Sequence, residues 1–165
     1  MSSRRPPLPH HRPKTAHNDA MAPLRVIGIQ RGTHRAVTMH LPLFASRIPA
    51  GFPSPADDYV DQRLDLNTHL VEHPAATFFT RVSGHSMRGA GIHDGDLLIV
   101  DRALEPQDGR IVIAAVNGEL TVKRLRLRKS GVWLVPEHPD YKPLKITEGL
   151  DCVIWGVVTR VIHAV

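Results

Sequence analysis

Cysteine is almost absent from this 165-residue chain: Cys152 stands alone, so no internal disulfide can form, and no CxxC or Cys/His spacing offers a structural zinc site. Such cysteine usage suits a reducing cytosol. Long apolar runs are missing too. The longest, Ile111 to Val116, falls far short of the roughly 20 residues a membrane-spanning helix needs, so no membrane association is expected. Arg4 and Arg5 invite a twin-arginine export reading, but Pro6, Pro7, Leu8, Pro9 and His10 follow where an apolar stretch would have to begin, and the reading is rejected. Acidic residues are scarce at one end. The first 50 residues hold eight Lys and Arg against one acid, Asp19, a net of +7, which leaves −2 on the remaining 115 residues of a chain whose total is +5. A basic arm on a slightly acidic body differs from a groove-binding domain; weak, nonspecific nucleic-acid contact is the most it suggests, and a solubilising leader is the plainer reading.

The rest of the composition, 42% hydrophobic and 22% charged, is that of a folded protein with one domain of ordinary size and a tail. Residues 1–24 carry Pro6, Pro7, Pro9, Pro13 and Pro23 among Arg, His and Ser, with no periodicity to bury. Order is expected from Val26 or later. From Leu41 the texture changes to short apolar stretches punctuated by Gly, Asp and Pro, the pattern of a mainly β domain. Strands are expected over 77–82, 97–101, 110–116, 119–127, 132–136 and 153–164. Asn117-Gly118 supplies a two-residue hairpin turn between two of them. One short helix is expected over 64–71, halted by Pro74. The chain thus divides into a basic, Pro-rich disordered leader (1–40), an arm and connector (41–75) and a β-rich domain (76–165).

Several patterns suggest chemistry and fail on inspection. His69-Leu70-Val71-Glu72-His73 has the H-x-x-E-H spacing of inverted zinc peptidases, but proline follows at once and no downstream helix offers a third ligand. Gly89, Gly91 and Gly95 match no phosphate-binding loop and read as turn glycines, as does Asp94-Gly95-Asp96. No metal and no cofactor is expected. More informative is Ser83-Gly84-His85-Ser86-Met87, directly after a strand. Its serine needs a base, and His85 is poorly placed because adjacent side chains on an extended segment point to opposite faces. Lys123, alternating with Val122, is the alternative, although alternation alone would leave it an ordinary exposed strand lysine.

An ordered series of motifs changes that balance: Ala50-Gly51-Phe52-Pro53-Ser54-Pro55-Ala56, Asp58-Tyr59-Val60, Asp65-Leu66-Asn67, Ser83-Gly84 with Ser86-Met87, Asp94-Gly95-Asp96 running into Leu97-Leu98-Ile99-Val100-Asp101, and Thr121-Val122-Lys123. From about Pro42 to the C-terminus the chain resembles the LexA/UmuD family of self-cleaving proteins, nearest its UmuD branch. The resemblance implies a compact peptidase domain of twisted antiparallel strands with little helix, preceded by a flexible arm. It also implies Ser86 as nucleophile, Lys123 as general base, and cleavage between Ala50 and Gly51, with the backbone amides of His85 and Ser86 as oxyanion donors. The implied partners are a second copy of the chain, the RecA filament on single-stranded DNA, and a UmuC-type translesion polymerase subunit, in a bacterial cytoplasm.

Physical chemistry agrees with that assignment. A lysine accepts a proton near neutral pH only if burial disfavours its charged form, so cleavage should accelerate between about pH 7 and 10. Pro49 removes one amide beside the cleavage site and so weakens its docking, and His85 adds an imidazole beside the nucleophile. A LexA-like repressor is the main alternative. It would need a DNA-binding domain that the Pro-rich stretch before residue 50 does not supply. A membrane-bound signal peptidase with the same dyad and a catalytically silent interaction module are the remaining alternatives.

Overall fold

The computed structural model describes residues 24–31, 40–44 and 60–165. Two segments pair apart from the main sheet: β2 (His40–Phe44) and β3 (Val60–Asp65) form an antiparallel ribbon. The main sheet is also antiparallel. It contains β1 (Arg25–Arg31), β4 (Thr77–Ser83), β5 (Leu97–Asp101), β10 (Cys152–Ile162), β6 (Ile111–Val116), β7 (Glu119–Arg128), β8 (Gly131–Val135) and β9 (Leu144–Lys145), in that spatial order. β1 pairs with β4 along its length and also meets β7 through Arg25 and Thr121. That second contact closes six of the strands into a ring, leaving β8 and β9 as an outer extension.

The apolar run of β6 follows from its place in the ring. Its Ile113 points into a core with Leu24, Phe78, Val82, Met87, Leu98, Val100 and Val122, whereas Val112 and Ala114 face a second cluster with Leu125, Leu134 and Val157. A strand covered on both faces has no need of polar alternation. Its hairpin to β7 turns through Asn117 (φ 49°) and Gly118 (φ 82°), the paired positive φ values a two-residue type I′ turn requires.

The mainly β fold and the six expected strands are present, with ends displaced by no more than two residues. Four details differ. β2 and β3 pair into a ribbon where an arm and connector without strands was expected. Order among the described residues begins at Leu24, which is fully buried, and residues 25–31, counted above with the leader, form a strand of the main sheet. Only Leu24 and Val26 of this segment reach the core, and their partners lie more than 50 residues away on β4, so local pattern gave too little signal. The helix α1 (Leu66–Leu70) is shorter than expected because Leu64 belongs to β3 and Asp65 caps the first turn through the Asn67 amide. β9, two residues long, carries no periodicity to read.

Candidate active site

β4 delivers the serine loop and β7 delivers the lysine. After Ser83 the chain turns at Gly84, whose φ of 102° suits glycine and whose amide donates to Asp94 Oδ1 at 2.7 Å. Ser86 follows, fully buried, with the buried Met87 anchoring the loop in the core. The loop is clamped from the far side by Glu137, just beyond β8. Its amide donates to Ser86 O at 2.8 Å, its carbonyl accepts from the Gly89 amide at 2.7 Å, and its carboxylate pairs with Arg124, the residue after the lysine. Gly89 is there because nothing larger fits: a Cβ would lie 2.7 Å from that Glu137 carbonyl oxygen.

Lys123 sits opposite Val112 in the β6–β7 ladder, with Val122 turned into the core on the other face. Its Nζ lies 3.1 Å from Ser86 Oγ, 2.8 Å from Thr121 Oγ1 and 2.9 Å from Val122 O. Burial lowers its pKa from 10.5 to about 8. These contacts suit a neutral amine. The Val122 carbonyl can only accept, and the Thr121 hydroxyl, which donates to Leu24 O at 3.3 Å, accepts from Nζ. As an ammonium Nζ donates to all three oxygens; once neutral, with its two N–H groups kept by Thr121 and Val122, its lone pair is left for Ser86 Oγ. The serine oxygen already accepts from the Leu24 amide at 3.1 Å, so its own proton is free to go to the lysine. A buried serine hydroxyl and an amine of lowered pKa therefore stand in the relation that proton abstraction would need.

Leu24 was not expected at this site. Through its amide on Ser86 and its carbonyl on Thr121, Leu24, the residue before β1, lies across the Ser86–Lys123 pair. Thr121, Glu137 and Asp94 were likewise assigned no role from sequence. Thr121 stood within a quoted motif, but Glu137 offered no signal because its part is played mainly by backbone atoms 51 residues from the serine. Ala50, Gly51 and Pro49 lie outside the described residues. His85 does not serve Ser86; its Nδ1 is buried with no hydrogen-bond partner among the described residues. Of the H-x-x-E-H pair, His69 is on α1 but His73 lies beyond its end, where Nδ1 meets Asp101 Oδ2 at 2.7 Å. That hydrogen bond raises the His73 pKa.

The Peptidase S24-like family model matches residues 42–159. The chain is 55% identical over 123 residues to the protein ImpA of Salmonella typhimurium, covering 74% of this chain and 83% of that one. It is 49% identical over 121 residues to the protein MucA of Escherichia coli, covering 73% and 82%. A LexA repressor from Acidithiobacillus ferrooxidans is 39% identical over 162 residues, covering 88% of this chain and 78% of its own. The serine loop, the lysine strand and the ring apart from β1 and the last residues of β10 fall inside the matched span, and on this footing the chain belongs to the Peptidase S24-like family of self-cleaving serine peptidases, as a UmuD-like protein of SOS mutagenesis.

Proposed function

We propose that the chain cleaves itself between Ala50 and Gly51 with Ser86 as nucleophile and Lys123 as general base. The observation that carries this reading is the 3.1 Å approach of a buried lysine amine to a buried serine hydroxyl. The neutral amine takes the hydroxyl proton as Oγ bonds to the Ala50 carbonyl carbon. The resulting oxyanion is held by the amides of His85 and Ser86. Collapse breaks the Ala50–Gly51 bond, and the Lys123 ammonium returns its proton to the departing Gly51 amine. Water, deprotonated by the same lysine, then releases residue 50 from the serine as a carboxylate.

Docking is the gate in this scheme. The contacts of Leu24 support a cleft that receives an extended backbone between Ser86 and Thr121. The segment around Ala50 must take that place before the bond can be cut, so Leu24 must leave. We assign the stimulus to the RecA filament and the cleaved form to a UmuC-type translesion polymerase in the bacterial cytoplasm. A homodimer is the proposed assembly, and the exposed Val153 and Trp155 of β10 offer it apolar surface. The basic arm is assigned no more than weak nucleic-acid contact.

The test is incubation of the purified chain at alkaline pH, and at neutral pH with activated RecA filament, followed by intact mass measurement. Fragments 1–50 and 51–165 from the wild type, and none from Ser86→Ala or Lys123→Ala, are expected. Absence of that cut under every condition, or its persistence in either variant, overturns the reading.

A further inference from the structure

Outside the dyad, two imidazoles converge on one buried carboxylate. Asp96 closes the turn before β5, His93 opens that turn, and His163 follows the last residue of β10, whose Ile162 pairs with Leu97. One ligand atom from each lies within 4.8 Å of the other two. The Asp96 side chain is 2% exposed, against 46% for His93 and 50% for His163. We propose that His93, Asp96 and His163 bind a divalent transition-metal ion, with zinc as the ion whose chemistry the donor set fits best.

Three observations carry this. First, a carboxylate so deeply buried needs positive charge beside it. Among the described residues its only ion-pair partners are these two histidines, with no Lys or Arg. Imidazole nitrogens are metal ligands as well as hydrogen-bonding groups, and a divalent cation held between them and the carboxylate would supply that charge. Second, the distances are near those of a coordination shell. Zinc bonds of roughly 2.0–2.2 Å to N and O put tetrahedral ligand atoms about 3.3 Å apart. His163 Nδ1 is 2.6 Å from Asp96 Oδ1 and His93 Nδ1 is 3.8 Å from Asp96 Oδ2, so the first must open and the second close by less than about 1 Å. Half-exposed rings can make that adjustment, and their open side leaves room for water as a fourth ligand.

Third, the least mobile ligand is already oriented from behind. The His93 amide donates to Asp96 Oδ2 at 2.7 Å, the kind of outer contact that holds a ligating carboxylate in place. The ion would pin the C-terminal end of β10 to the 92–96 turn. That turn braces the serine loop through Asp94 Oδ1 on the Gly84 amide and Asp96 O on the Val82 amide. Zinc is therefore a structural staple next to the loop and takes no part in the peptide cut.

The experiment titrates ZnCl2 up to about 100 µM into the metal-stripped full chain at pH 7.5, by calorimetry with thermal unfolding in parallel. Wild type is compared with His93→Gln, His163→Gln and the double variant, each shown by circular dichroism and metal-free unfolding to be folded before the titration. One zinc per chain and a raised unfolding midpoint are expected for the wild type. Each single variant should bind at least about ten-fold more weakly, and the double variant should lose the rise in midpoint. No binding in this range overturns the proposal. So does binding that is undiminished in the double variant, which would place the ion on other histidines of the chain.

Discussion

Burial of Lys123 makes the rate of self-cleavage a titration curve. With its pKa at about 8, the lysine is neutral in about one molecule in eleven at pH 7, in half at pH 8 and in about ten of eleven at pH 9. Because only the neutral amine can take the Ser86 proton, the unstimulated rate should rise ten-fold per pH unit below pH 7, about ten-fold in all from pH 7 to 9, and then level off. A lysine at its ordinary value of 10.5 would behave differently, climbing about a thousand-fold from pH 7 with no plateau before pH 10. The assay follows the loss of intact mass of the purified chain between pH 6 and 10 at constant ionic strength. Circular dichroism at each pH verifies the fold, and Ser86→Ala gives the background. A flat profile, or one still rising in proportion to hydroxide at pH 10, would refute the assignment of Lys123 as a buried base.

Lys123→Met should abolish cleavage and stabilise the protein. The folded pKa lies below the unfolded one, so the buried ammonium costs stability in full below pH 8, and this cost fades between pH 8 and 10.5. At pH 7 removing it is worth up to about 3 kcal/mol, read as a higher urea midpoint, and the gain should vanish above pH 10.5. Leu24→Gly strips the buried side chain that holds the β1 lead-in over the dyad; losing roughly 1.5–3 kcal/mol of burial should speed cleavage about ten-fold or more, and a slower cut would refute competition for the cleft. Gly89→Ala drives a methyl against the Glu137 carbonyl and should destabilise the fold by about 1–3 kcal/mol in denaturant unfolding while slowing cleavage, because the same carbonyl anchors the serine loop.

Local chemistry made much of the domain legible. Strands β4 to β8 and β10 announced themselves through β-branched runs bounded by Gly, Asp and Pro, and Asn117-Gly118 specified its hairpin because only positive φ closes a two-residue turn. Ser86 and Lys123 were singled out through motif resemblance, 37 residues apart with β5 and β6 between them. Elements with few inward side chains escaped detection. β1 carries one, Val26, with Leu24 just before it, and β9 is too short to show a period.

What the amino-acid sequence determined by itself was therefore the β character of the domain and its turns, since each depends on neighbours along the chain, while Ser86 and Lys123 were marked out by resemblance alone. The tertiary structure alone decided what crosses large separations: Leu24 lying on Ser86, Glu137 clamping the same loop, and His163 reaching Asp96 from 67 residues away. Ring closure brings these groups together, and the lysine's altered basicity has the same origin. Desolvation depends on which atoms cover an amine in space, and Val122, turned to the core, and Lys123, turned to the serine, look alike as strand residues until the ring is closed.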